Sequence, residues 1–275
     1  MERFTPTLSL NLGEFDTEFT WVKMFFGHFD CRLFISDTAY VDIGRGSLSI
    51  APHLKFNIPG FKGCVGTVGQ FCNVATCTVF AGGEHGNDLP VNVTFGAVPL
   101  FDILATQEGI HDLRPLPQQP FAIGDAVVLS ANCMVLPGAR IGTGTVLAAG
   151  AAARGRLDEF SIYAGLPARK IRDRQSQEIQ QRMRAVRWWD FDTLYLLNNL
   201  ARLQALAIDT ETPHRYRQPT PRLAWRLTDD KFKLIGFDDG TFRPLDEAPA
   251  KLRDYLAQCT RQGPGTFLWH ADVWN

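Results

Sequence analysis

IGDAVVLSANCMVLPGARIGTGTVLAAGAAA, residues 123–153, repeats every six residues. Steps of six from Ile123 land on Leu129, Val135, Ile141, Leu147 and Ala153, all aliphatic or alanine. Four residues after each of the first five stand Val127, Cys133, Ala139, Thr145 and Ala151, which are small or β-branched. The residue after the aliphatic is Gly124, Ser130, Leu136, Gly142 or Ala148, again mostly small. An amphipathic helix would need apolar residues three and four apart, and this glycine density opposes one. Internal repeats of fixed period mark stacked architectures. The pattern predicts a triangular coil in which each hexad makes one short strand and one tight corner, and three hexads make a turn. The aliphatic residue points into the prism, and Gly138, Gly144 and Gly150 relieve the backbone at corners. Each coil covers its neighbours, so the core runs along the stack. The fold class is mainly β, a parallel β-helix.

Outward from that stretch, Val68–Asn73 and Val74–Val79 continue the frame to Phe80. Ile35–Tyr40 followed by Val41–Gly44 reads as a weaker first coil. The expected organisation is an N-terminal extension over 1–34, the β-helix over 35–172, a helical segment over 173–209, and a linker with a small α+β tail over 210–275. One long interruption, residues 82–120 (GGEHGNDLPVNVTFGAVPLFDILATQEGIHDLRPLPQQP), leaves the prism and returns to it. So long a stretch without structure inside a compact domain is usually functional.

The bulk properties exclude several classes. Lys and Arg number 28 and Asp and Glu 29, for a formal net charge of -1, so no polyelectrolyte partner such as nucleic acid is indicated. No apolar run approaches a bilayer-spanning length, and the first residues lack the basic start and apolar stretch of a signal peptide. The six cysteines include no C-x-x-C pair and read as small buried residues of a reducing, cytoplasmic compartment.

Four pieces in order resemble the hexapeptide-repeat acyltransferases, most closely the xenobiotic acetyltransferase branch with its streptogramin, chloramphenicol and amino-sugar acetyltransferases. They are VGQFCNVATCTVFAGGEH; the excursion with Pro90 and Phe95-Gly96; the coil run with its Pro137-Gly138 corner; and YAGLPARKIRDR followed by a helix and Arg187–Asp192, RWWDFD. The resemblance covers roughly residues 30–205. Val128 stands where the family often carries tryptophan, and residues 208–275 match nothing in it. The resemblance implies a left-handed winding, a homotrimer with active sites between prisms, and acetyl-CoA as co-substrate, with no metal.

It also implies residue roles. His85, at the end of a coil, resembles the family's catalytic histidine, and a neutral imidazole suits removal of a proton from an attacking amine or hydroxyl. Glu84 is adjacent and would orient or tune His85. Asn87 and Asp88 either meet acceptor groups or make a plain turn. Phe95, with Phe101 and Leu104, either walls an acceptor pocket or packs the excursion. Ala131 and Ala149 match positions where the main chain contacts CoA, and Arg154, Arg169 and Arg172 sit where phosphate or adenine contacts fall. The planar fork of arginine fits a phosphate.

The expected acceptor is small and polar, a sugar or nucleotide-linked amino sugar first and an antibiotic second. A γ-type carbonic anhydrase would need three imidazoles around zinc, and the coils carry only His85. A non-catalytic scaffold is the reading of another class. In SQEIQQRMRAVRWWDF, Ile179, Met183 and Val186 have helical spacing, and Trp188 and Trp189 read as core. RLAWRL and FKLIGF flank a turn candidate at Thr228–Asp230.

Overall fold

A computed structural model of the chain describes residues 7–8, 30–47, 54–57, 61–75, 77–80, 119–208, 215, 222–228, 231–238, 241–250 and 265–266. The strands, in chain order, begin with β1 (Thr7–Leu8), β2 (Cys31–Phe34), β3 (Ala39–Ile43), β4 (Leu54–Asn57), β5 (Gly63–Val68), β6 (Asn73–Val74) and β7 (Cys77–Phe80). After the excursion come β8 (Phe121–Ile123), β9 (Val128–Leu129), β10 (Cys133–Val135), β11 (Arg140–Ile141), β12 (Val146–Leu147), β13 (Ala152–Ala153), β14 (Arg156–Leu157), β15 (Ser161–Ala164) and β16 (Arg169–Asp173). Among the described residues the helices α1 (Gln177–Val186), α2 (Thr193–Asn198) and α3 (Leu200–Gln204) follow. The last strands are β17 (Arg222–Thr228), β18 (Lys231–Asp238), β19 (Phe242–Pro244) and β20 (Gly265–Thr266), the last antiparallel to β1.

Every third coil strand shares a sheet. β5, β8, β11 and β14 form the first face; β6, β9, β12 and β15 the second; and β4, β7, β10 and β13 the third, all parallel within each face. That is a three-sided parallel β-helix, wound as the hexads predict. Ile123, Leu129, Val135, Ile141, Leu147 and Ala153 are at most 3% exposed, and Val127, Cys133, Ala139, Thr145 and Ala151 are wholly buried. Both positions of the frame therefore face inward, on either side of an outward residue such as Val128. Each fully buried aliphatic contributes roughly 1.5–3 kcal/mol. The corners take a left-handed residue, supplied by Gly138, Gly144 and Gly150 and, with some strain, by Ala126 and Asn132.

One feature differs from the sequence expectation. Ile35–Thr38 is not coil: β2 and β3 pair antiparallel, and the polar segment between them makes the hairpin turn. The last coil closes on the third face, where Ala168 N–H donates to the Ala152 carbonyl at 2.9 Å.

RLAWRL and FKLIGF form the expected antiparallel pair, but the pair is not a separate unit. β17 lies parallel against β2, so β17, β18 and β19 extend the first face beyond the earliest coil. Leu223, Trp225 and Phe237 join the prism core. Outside, Arg32 pairs with Asp42 at 2.8 Å and with Asp238, and Arg222 reaches Asp42 at 3.0 Å.

α1 starts at Ser176, whose Oγ accepts from Ile179 N, and ends at Arg187 in a left-handed conformation. It buries Gln180 and Val186 and leaves Ile179 37% exposed, so the inward stripe is shifted from the expected one. Trp189 and Phe191 are buried, and the wholly buried Arg45 donates to the carbonyls of both, at 2.9 and 2.6 Å. RWWDFD therefore clasps the early coils. Four of the five described cysteines are buried free thiols, and burial pushes Cys72 up to about 12. No helix among the described residues is long and apolar enough to cross a membrane.

Asp125 lies at the corner between the first and second faces and accepts the Gln70 N–H at 2.8 Å. Burial raises its pKa above the ordinary 3.8; Asp190 adds to this, while Arg187 and Arg45 oppose it. The folded state thus holds this proton more tightly than the unfolded chain. Its contribution to stability is present below pH 3.8 and lost as pH rises through the folded value. Asp125→Asn keeps an acceptor and cannot ionise. Its melting temperature relative to the parent is expected to climb across that window, and a pH-independent difference would refute the assignment.

Candidate functional site

The excursion is anchored at one edge of the prism. β7 ends at Phe80 on the third face, and β8 starts at Phe121 on the first. The chain returns over the next corner in the stack, where Gly138 N–H donates to the Gln119 carbonyl at 3.0 Å. His85, Glu84, Asn87, Asp88 and Phe95 lie outside the described residues. Just before the excursion, Cys77 and Cys133 face each other inside the prism with their sulfurs 3.3 Å apart. Hydrogen bonding to Cys133 and burial both push the Cys77 thiol up, which suits a core role better than a nucleophilic one.

The five residues assigned to CoA divide between edges. Ala131 and Ala149 are both exposed and stack on the edge between the second and third faces, where Gly150 N–H donates to the Ala131 carbonyl at 3.0 Å. Arg154 is exposed on the edge between the third and first faces, the edge of the excursion. Arg169 and Arg172 lie on β16, which runs antiparallel to β15 at the end of the second face and is exposed throughout. Among the described residues their guanidinium groups reach neighbouring carbonyls, Ala168 O at 3.2 Å and Asp173 O at 3.0 Å. The structure thus brings Ala131 to Ala149 and Arg169 to Arg172, and sets Arg154 one face away from the alanines.

Sequence reasoning missed a groove of about 690 Å³ on the outside of the first face, walled by β8, β11, β14, β16 and α1. Arg140 and Arg156 rise from its floor, directly opposite each other on parallel strands. Its other cations are committed: Lys170 to Asp173 at 2.7 Å and to Asp158 at 3.6 Å, and Arg184 to Glu159 at 2.5 Å. Lys170 in turn holds the Asp173 carboxyl below the ordinary range. The available signal was positional, since Arg140 and Arg156 each directly precede an inward aliphatic residue of the same face. No group of three or more His, Cys, Asp or Glu that would hold a metal occurs among the described residues.

Comparison with known proteins supplies the family. No family model matches the chain. A probable macrolide acetyltransferase of Lysinibacillus sphaericus is 30% identical over 156 residues, 50% of this chain and 80% of that protein. A chloramphenicol acetyltransferase of Escherichia coli is 33% identical over 69 residues, 25% of this chain and 33% of that protein, so that match spans a third of its length. A solved hexapeptide-repeat-containing acetyltransferase of Vibrio cholerae is 16% identical and aligns over 56% of this chain and 77% of its own, with a TM-score of 0.34. With the macrolide acetyltransferase matched over 80% of its length, and with the hexads wound as coils, this chain belongs to the hexapeptide-repeat acetyltransferase family.

Proposed function

We propose that this protein moves an acetyl group from acetyl-CoA to a hydroxyl or amine of a small polar acceptor, with a sugar or nucleotide-linked amino sugar as first choice. The observation that carries the reading is the excursion: it leaves and rejoins the prism at one edge, on a chain matched to an acetyltransferase over most of that enzyme's length. His85 takes the proton from the acceptor as its lone pair attacks the acetyl carbonyl carbon. The tetrahedral adduct collapses, the carbon–sulfur bond breaks, and the imidazolium returns the proton to the CoA thiolate. Glu84 orients His85, while Asn87, Asp88 and Phe95 meet the acceptor. Ala131 and Ala149 leave the backbone open to the pantetheine arm, and Arg154, Arg169 and Arg172 meet the phosphates. The same reading carries a left-handed winding, a homotrimer and a cytoplasmic location.

A second reading, O-acetylation of an antibiotic, is favoured by one observation: the relative matched over 80% of its length is a probable macrolide acetyltransferase. One experiment separates the two. CoA thiol release from acetyl-CoA is followed with amino sugars, nucleotide-linked amino sugars, macrolides and chloramphenicol as acceptors. Release that depends on a sugar acceptor supports the first reading, and release only with an antibiotic supports the second. Acetyl-CoA at a hundred times its Kd would stabilise the fold by about 2.7 kcal/mol. Silence across the panel, with no such stabilisation, would move the assignment to a scaffold.

A further inference from the structure

The groove on the first face holds an electrostatic imbalance. Its acids, Asp158, Glu159 and Asp173, are all paired with Lys170 or Arg184. Arg140 and Arg156 have no such partner among the described residues, although their backbones are in direct register across a parallel strand pair. Neighbouring strands are about 4.8 Å apart, and like charges placed directly opposite each other on a sheet are destabilising. Both side chains are exposed, so water moderates the repulsion without removing it.

A second observation points the same way. Gln177 and Gln180, in the first turn of the ten-residue α1, line the groove. A helix start carries partial positive charge; here Ser176 Oγ caps the Ile179 N–H, and Glu178 in the same turn offsets part of that charge. Two forked guanidinium groups one strand apart, at the mouth of a helix, match an anion with two adjacent phosphoryl groups.

We propose that the groove binds a diphosphate, with Arg140 and Arg156 each on one phosphoryl group. The proposal rests on the transferase reading for the two sources of that chemistry, the diphosphate of CoA and that of a nucleotide-linked sugar acceptor. It names residues outside the Arg154, Arg169 and Arg172 set. The ladder is built by the shortened last corner. Val135 to Ile141 spans six residues, whereas Ala153 to Leu157 spans four through Arg154-Gly155, and this brings Arg156 under Arg140. Uninterrupted hexads would have put Asp158 there instead.

The test is calorimetric titration of the full chain with pyrophosphate, CoA and UDP. The proteins compared are the parent, Arg140→Gln, Arg156→Gln, the double variant and Arg202→Gln, an exposed control on α3. Each groove substitution is expected to weaken diphosphate binding roughly tenfold, and the pair about a hundredfold, as charge-assisted bonds are lost. Arg202→Gln should bind as the parent does. Weakening for CoA with UDP unmoved assigns the groove to the donor, and the converse assigns it to the acceptor. Because both arginines are exposed, the melting temperatures without ligand should stay level or rise. Equal affinities for all three probes in the parent and double variant, or no binding by the parent, would overturn the proposal. Acetyl transfer with unchanged KM values in the double variant would remove the groove and leave the transferase reading standing. Pyrophosphate binding without any transfer would do the reverse.

Discussion

Replacing His85 by alanine is expected to lower acceptor-dependent thiol release by about 10²–10⁴-fold, the range of general-base catalysis. The effect should fall on kcat, with the KM for acetyl-CoA little changed, because the imidazole acts on the proton that moves in the transition state. A loss shared equally by His111→Ala would point to a general effect on the excursion. Full activity in His85→Ala would refute the mechanism while leaving the fold and family untouched. Steady-state kinetics with one productive acceptor is sufficient.

The second large effect concerns the stacking of coils. Gly44, Gly69, Gly124 and Gly142 form a column at the edge between the first and second faces. A Cβ at Gly69 would stand 2.5 Å from the Gly124 carbonyl carbon and 2.6 Å from Asp125 N. These are backbone atoms of the next coil, so no side chain can swing aside. Gly69→Ala is expected to cost about 3 kcal/mol, at the upper end for overpacking. Gly150 provides the contrast: its φ is +69°, and a Cβ there would meet nothing within 4 Å. Gly150→Ala bears only the dihedral cost of about 1–2 kcal/mol. Urea unfolding of the two variants should rank them in that order, and the reverse order would show that the coils can move apart.

How much of this was legible depended on the kind of information each residue carries. The inward positions from Ile123 to Ala153 were readable because a six-residue frame repeats one environment, and all six are buried. The limits set for the excursion came from the frame, which stops at Phe80 and resumes at Ile123. Ile35–Thr38 misled because the strands on either side of this turn alternate buried and half-buried residues, as coil strands do, although they pair antiparallel. Face membership was harder. Ala131 and Ala149, eighteen residues apart, stack one turn on, whereas Arg154 falls on the next edge. Arg140 and Arg156 are sixteen apart and meet only because one corner is short, which a strict period hides. The catalytic assignment rests on His85 and its neighbours through family resemblance, since no repeat constrains that stretch.

β17 completes the sheet at β2, although the two are separated in sequence by all the coils. At ~5–20 residues per second, roughly 10–40 s of synthesis separate β3 from the end of β17. Throughout that interval one edge of β2 has no strand beside it, and the core that Leu223 and Trp225 will cover is open. An open strand edge is a template for pairing with other chains. The nascent protein therefore passes through a period in which its coils are finished and its first sheet is still adhesive. A chain stopped before Arg222 remains in that state, so premature termination would yield aggregates, whereas a chain that runs on through β17 covers that edge of β2.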